Sequence, residues 1–181
     1  MPLTGKALAE MRSQQQQPEV AQVGRSFSNV QAQVSPSRPK TARIFRLQPQ
    51  ATEAQVEQVL QAAYCQVLDL WSADVPHELR SPELDSQLHA GKISVREFVQ
   101  ALVNEPTYRR RFFAPYPNQK VVELLFRHLL GRTPVNAESA ELERLLTEQG
   151  LEAAATALIN SSEYNRFFGE NVVPYQRFSS K

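Results

Sequence analysis

One cysteine, Cys65, stands in 181 residues, which excludes an internal disulfide and any metal cage built from cysteine alone. Glycine is scarce too, at six, and none of the six belongs to a phosphate-cradling loop. No apolar run approaches the roughly 20 residues needed to cross a bilayer, so an integral membrane protein is not expected. Lys6 and Arg12 are followed by neither an apolar stretch nor a small-residue cleavage site, which argues against a secretory signal. The three histidines, His77, His89 and His128, are far apart in sequence and lack the i, i+4 pairing of a metal site, so solvated or core positions are expected for them. Cys65 falls beside core positions with no adjacent cation to stabilise a thiolate, and reads as a buried structural thiol rather than a nucleophile or covalent attachment point. With no nucleophile elbow either, the chain is not expected to be an enzyme.

What is present suits one globular unit with a tail. Hydrophobic residues make up 41% and charged residues 22%, ordinary soluble usage, and the length supports one real core rather than two. The net charge of +1 hides an asymmetry. Residues 1–52 carry seven bases against two acids, leaving thirteen bases and seventeen acids for the remainder. A basic tail on an acidic body points to an acidic partner, with Arg38, Lys40 and Arg43 as candidate contacts in the tail. Residues 1–51, with the Gln14 to Gln17 run and the Ser35-Pro36-Ser37-Arg38-Pro39 cluster, hold few large apolar side chains, so this extension is expected to be disordered alone and to order along a partner.

From Thr52 onward the signals are helical. Thr52 with Gln55 forms a capping box, and Val56, Val59, Leu60, Ala63, Tyr64 and Val67 follow on one face. Ser81-Pro82 opens a short helix that Gly91 can close. Ser94 with Glu97 makes a second capping box, with Val95, Phe98, Val99 and Leu102 inward. Further helices are expected from Asn118 to Leu130, stopped by Gly131, from Asn136 to about Gln149, stopped by Gly150, and from Leu151 to Asn160. No stretch alternates cleanly enough to read as a strand.

The chain also echoes itself. Ala101-Leu102-Val103-Asn104, Tyr108 and Arg110-Arg111-Phe112-Phe113 are answered by Ala157-Leu158-Ile159-Asn160, Tyr164 and Asn165-Arg166-Phe167-Phe168, read with one residue deleted. Tyr64 to Leu68 similarly answers Phe126 to Leu130. The expected fold class is all-α: a single compact helical domain built from a duplicated three-helix motif, spanning residues 52–177, with an extended N-terminal tail and a short tail at 178–181.

One cluster invites a binding role. Tyr108, Arg109, Arg110, Arg111, Phe112, Phe113 and, after Ala114-Pro115, Tyr116 combine the residue types that dominate protein interfaces, and arginine pairs bidentately with carboxylates. Successive helical residues turn by about 100°, so at least one of the three arginines should face away from the core, and one of Phe112 and Phe113 should pack inward while the other meets a partner. Nucleic acid could satisfy the same cluster, although the globular part is acidic overall and no recognition motif follows.

The stretch Ile93 to Leu102, then Tyr108 to Phe113, then Val122-Glu123-Leu124 with Phe126 to Arg132, resembles the linker domain of phycobilisome linker polypeptides. So does Asn160 to Tyr164 with Phe168 to Tyr175, and the similarity runs from about Phe45 to Arg177 in the family's order and spacing. The resemblance implies an all-helical domain lodged in the cavity of phycobiliprotein trimers or hexamers (allophycocyanin or phycocyanin), alongside other linkers. It implies no covalently bound cofactor, but a place near bilins carried by the partners. It also implies a location at the cytoplasmic face of the thylakoid membrane, with peripheral association through the assembly. Neither a C-terminal capping domain after Arg177 nor a pigment-binding domain before Thr52 is expected. Tyr108 to Pro115 looks closest to the repeats of the core-membrane linker, while the single-domain layout resembles a short rod-core linker. The alternative is a basic-tailed nucleic-acid-binding module.

Overall fold

Both capping boxes form. A computed structural model describes residues 43–71 and 74–177, and in it the Thr52 hydroxyl accepts from Gln55 N while the Gln55 side chain accepts from Thr52 N at 2.9 Å, starting α1 (Glu53–Val67). The same reciprocal pair between Ser94 and Glu97 starts α3 (Val95–Asn104). Between them lies α2 (Pro82–His89), with proline in its first turn. The hydroxyl of Ser81 makes no capping bond there; it donates to Glu105 instead. Asn104 leads into a single helical turn, α4 (Pro106–Tyr108), continued by a π-helical turn at Arg109–Phe113.

Helix α5 (Asn118–Leu125) continues likewise into a π-helical turn at Phe126–Leu130, which Gly131 ends at φ +67°. The two helices expected on either side of Gly150 run together as α6 (Asn136–Ile159), broken at that glycine, whose φ of +85° lies in the left-handed region that other residues avoid. A short helix, α7 (Ser162–Phe167), closes the array. The described residues contain no sheet, only an isolated antiparallel bridge between Arg46 and Val172.

The burial pattern shows how the duplication is built. Val95, Phe98, Val99, Leu102, Val103, Tyr108 and Phe112 are buried, and so are Leu151, Ala154, Ala155, Leu158, Ile159, Tyr164 and Phe168, each exactly 56 positions later. The constant spacing corrects the deletion read from the sequence. Aligning the two Phe-Phe pairs hides the fact that Phe112 and Phe168 are the matching core residues, each four positions after its tyrosine. A second constant spacing, 62, relates Val59, Leu60, Ala63, Tyr64, Val67 and Leu68 in α1 to Val121, Val122, Leu125, Phe126, Leu129 and Leu130, all buried. Two three-helix copies therefore share one core, each covering the apolar face the other leaves open. Arg96 of the first copy ties them by donating to Glu170 Oε1 at 2.7 Å, the Ile159 carbonyl at 2.7 Å and Asn160 Oδ1 at 3.0 Å.

Segments at both ends seal this core. Phe45 and Leu47 pack against it, and the backbone pairs Leu47 N with Asn171 O and Val173 N with Phe45 O. Arg177 donates to Leu130 O and shares Glu163 with Arg132, which also grips Glu138 at 2.7 Å. These arginines hold the Glu163 carboxyl down at about 2, with the Arg132 hydrogen bond as the largest cause. A side chain at position 131 would place its Cβ 1.8 Å from the Tyr175 carbonyl oxygen, so only glycine lets the C-terminal segment pass. The remaining stretches, including Arg38 and Lys40 and the tail at 178–181, lie outside the described residues.

Candidate functional site

The cluster from Tyr108 to Tyr116 divides by depth. Tyr108 is wholly buried and Phe112 is 7% exposed, four residues apart on the inward face with ring centroids at 5.0 Å. Of the three positions between them, Arg109, Arg110 and Arg111 are all exposed, where helical geometry alone required only one. Phe113 is half-buried against the core edge, and Tyr116 is 45% exposed. Tyr108 and Phe112 thus offer no surface to a partner. Their bulk and their four-residue spacing place them in the core, and they serve as the base of the arginine turn.

Beneath that base lies His128, the buried polar residue among those described. The Tyr108 hydroxyl and His128 Nδ1 share a hydrogen bond of 3.0 Å, and the imidazole packs edge-on to Phe112 at 4.8 Å between centroids. Burial, reinforced by the cations of Arg127 and Arg111, lowers the imidazole pKa to about 3, so the ring is neutral at physiological pH. A π-helical turn leaves carbonyls out of ordinary helical pairing, and here Gln66 donates to the carbonyls of both Arg127 (3.0 Å) and His128 (3.1 Å). Arg127 itself pairs with Asp69 at 2.8 Å.

Other candidates stand apart. Arg43 is exposed, its guanidinium 5.2 Å from the Phe45 ring centroid, and no hydrogen bond or ring contact among the described residues joins it to the arginine turn. Cys65 is half-buried rather than buried, with its thiol pKa raised by desolvation, because the side of α1 next to the Tyr64 face is only partly covered. His77 and His89 are exposed, and no group of three His, Cys, Asp or Glu among the described residues could hold a metal ion. No described helix is long and apolar enough to cross a membrane. Sequence reasoning missed the partnership of Tyr108 with His128 and of Gln66 with the second π turn. Both link residues 20 to 62 positions apart, beyond any local periodicity.

Comparison with known proteins places this geometry in context. The family profile described as phycobilisome linker polypeptide matches residues 51–177. Over 99% of the chain, 45% of residues are identical to a protein of Nostoc sp. named phycobiliprotein ApcE, and over 87% of it 46% are identical to the protein of that name from Microchaete diplosiphon. The namesake from Aglaothamnion neglectum is 36% identical over 86% of the chain. The chain spans 17%, 15% and 18% of these three relatives respectively.

Proposed function

The chain belongs to the family of phycobilisome linker polypeptides, and we propose that it acts as a structural linker whose helical domain seats inside a phycobiliprotein ring. The observation that carries this reading is the outward set of Arg109, Arg110 and Arg111 on a turn whose inner side is locked into the core. Three exposed guanidiniums on a rigid base are suited to carboxylates on a ring's inner wall, because little backbone freedom remains to be lost on binding. Phe113 and Tyr116, at the edge of the same surface, supply the apolar and aromatic contacts, with bilins of the partner nearby. Residues 1–42, basic and poor in large apolar groups, reach along a neighbouring ring or another linker. The domain reads as similar to a repeat of a core-membrane linker, since the relatives named ApcE match over most of its length, and allophycocyanin is then the favoured partner. In this role it organises rings and tunes energy transfer. It resides in the phycobilisome at the cytoplasmic face of the thylakoid membrane, held there through the assembly. The family gives no support to the nucleic-acid alternative.

Co-sedimentation of the full chain with purified allophycocyanin trimers, and in parallel with phycocyanin hexamers, tests the proposal through the absorption of the pellet. Binding is expected. Combined replacement of Arg109, Arg110 and Arg111 by Ala should weaken it roughly ten- to hundred-fold without changing the melting temperature appreciably. Absence of binding to either ring, or an unaltered affinity of the triple variant, would overturn the interface.

A further inference from the structure

The arginine turn has a feature that its counterpart in the second copy lacks. At Arg109–Phe113 the helix widens to π geometry, and Ala114 N–H returns five residues to Arg109 O at 2.9 Å. In the second copy α7 stays α-helical: Phe168 N–H returns four residues to Tyr164 O at 2.9 Å, and only the closing Gly169 N–H reaches back five, to the same oxygen at 3.2 Å. The buried aromatic pairs are otherwise alike, with Tyr108 and Phe112 at 5.0 Å and Tyr164 and Phe168 at 5.1 Å. What differs is the tyrosine hydroxyl: that of Tyr108 bonds to His128, while that of Tyr164 is buried with no hydrogen-bond partner among the described residues. A π turn is a strained variant that persists where surrounding contacts over-determine it, and such turns occur often at functional sites.

We infer that His128 is a positioning residue, a latch that with Tyr108 holds the Arg109–Arg111 turn in its π register and so sets the affinity of that turn for an acidic protein surface. The inference rests on the interface proposed above. Several observations converge on His128. It lies in the second π turn, so the two widened turns meet through this one ring, which touches both Tyr108 and Phe112. Gln66 fixes the backbone on the far side by donating to the carbonyls of Arg127 and His128. The ring is 1% exposed and its Nε2 has no hydrogen-bond partner among the described residues, so the side chain meets only part of its hydrogen-bonding capacity there. An apolar residue would fill the same space without that cost. The neutral state of the imidazole matters as well, because a further cation beneath Arg111 and beside Arg127 would repel the turn it holds.

The test separates positioning from folding. Combined Tyr108→Phe and His128→Phe replacement removes both ends of the bond with apolar groups of similar shape, a change that leaves stability nearly intact. In the full chain it should lower affinity for allophycocyanin trimers roughly five- to tenfold. It should have no effect in the background where Arg109, Arg110 and Arg111 are already Ala. His128→Asn, which sets an amide atom where Nδ1 stood, should recover much of the affinity. In the free protein, amide exchange at Ala114 should accelerate in the double variant while that at Gly169 does not. Unaltered affinity, an equal loss in both backgrounds, or unchanged exchange at Ala114 would each overturn the latch. If the triple Ala variant binds like the parent, the interface reading falls, and the latch stands or falls on the Ala114 exchange alone.

Discussion

The two copies of the helical motif hide the same aromatic pair and show opposite faces. Between Tyr108 and Phe112 the first copy presents three exposed arginines; between Tyr164 and Phe168 the second presents Asn165, Arg166 and Phe167. The second face is touched by its own chain at Phe167, which is still 40% exposed. The Arg177 guanidinium lies 4.0 Å from the Phe167 ring centroid, and Arg177 also donates to Leu130 O. No such strap crosses the first face among the described residues. The helix ends differ in the same sense: Gly131 gives way to the C-terminal segment, whereas Asp69, 62 positions earlier and also at positive φ, turns its carboxylate to Arg127. Duplication supplied two equivalent inward faces to one core, and among the described residues the C-terminal segment then reached one outer face and not the other.

The largest break in this comparison should come from Gly131→Ala. Left-handed backbone and a collision with Tyr175 act together, and a loss of at least about 2–4 kcal/mol is expected in thermal or urea unfolding. Asp69→Gly at the equivalent position relieves its φ of 51° while losing an ion pair, and should stay within about 1 kcal/mol of the parent. Equal effects at the two sites would show that the strap does not distinguish the copies.

Acid should act next, through two groups in different windows. His128 has its pKa lowered to about 3 in the fold, so the unfolded chain takes up a proton that the folded one refuses. Its contribution is complete above the unfolded histidine value of about 6.5 and falls away as pH drops towards 3, at up to about 1.4 kcal/mol per pH unit. Glu163, lowered to about 2, adds stability above the ordinary carboxylate range that is lost as pH falls from there towards 2. Urea midpoints across pH 3 to 7 should therefore decline already between 6.5 and 5 in the parent. In the Tyr108→Phe, His128→Phe double variant that early decline should vanish. A decline that begins only near pH 4.5 in both proteins would remove His128 from the account.

The tyrosines should differ by smaller amounts. Tyr108→Phe strips His128 Nδ1 of its partner and should cost roughly 1–2 kcal/mol. Tyr164→Phe removes a hydroxyl that has no hydrogen-bond partner among the described residues and should be neutral or mildly stabilising, by up to about 1 kcal/mol in the same melts. The smallest expected effect on stability, within about 0.5 kcal/mol, belongs to single Ala replacements of Arg109, Arg110 or Arg111, whose consequences should appear in ring binding instead.

Helix starts and stops were legible because they are local. The capping boxes at Thr52 and Ser94, the stops at Gly131 and Gly150, and the inward positions of α1 and α3 all depend on residues within one or two turns of each other. The all-α class followed from their agreement, and the linker resemblance followed from motifs in their order along the chain. Within the arginine cluster, the sequence expected one of Phe112 and Phe113 to face inward without saying which and grouped Tyr108 with the interface, whereas Tyr108 and Phe112 share one inward face.

Tertiary structure alone decided the rest. The amino-acid sequence, through 3.6-residue periodicity and capping chemistry, determined that there are two copies of a helical motif and which residues each must bury. Which outer face meets the chain's own C-terminal segment depended on where Arg177 comes to lie, and the state of His128 depended on Tyr108, Arg111 and Arg127 gathering around it. Desolvation and cross-chain hydrogen bonds act through space, with no period along the chain to announce them.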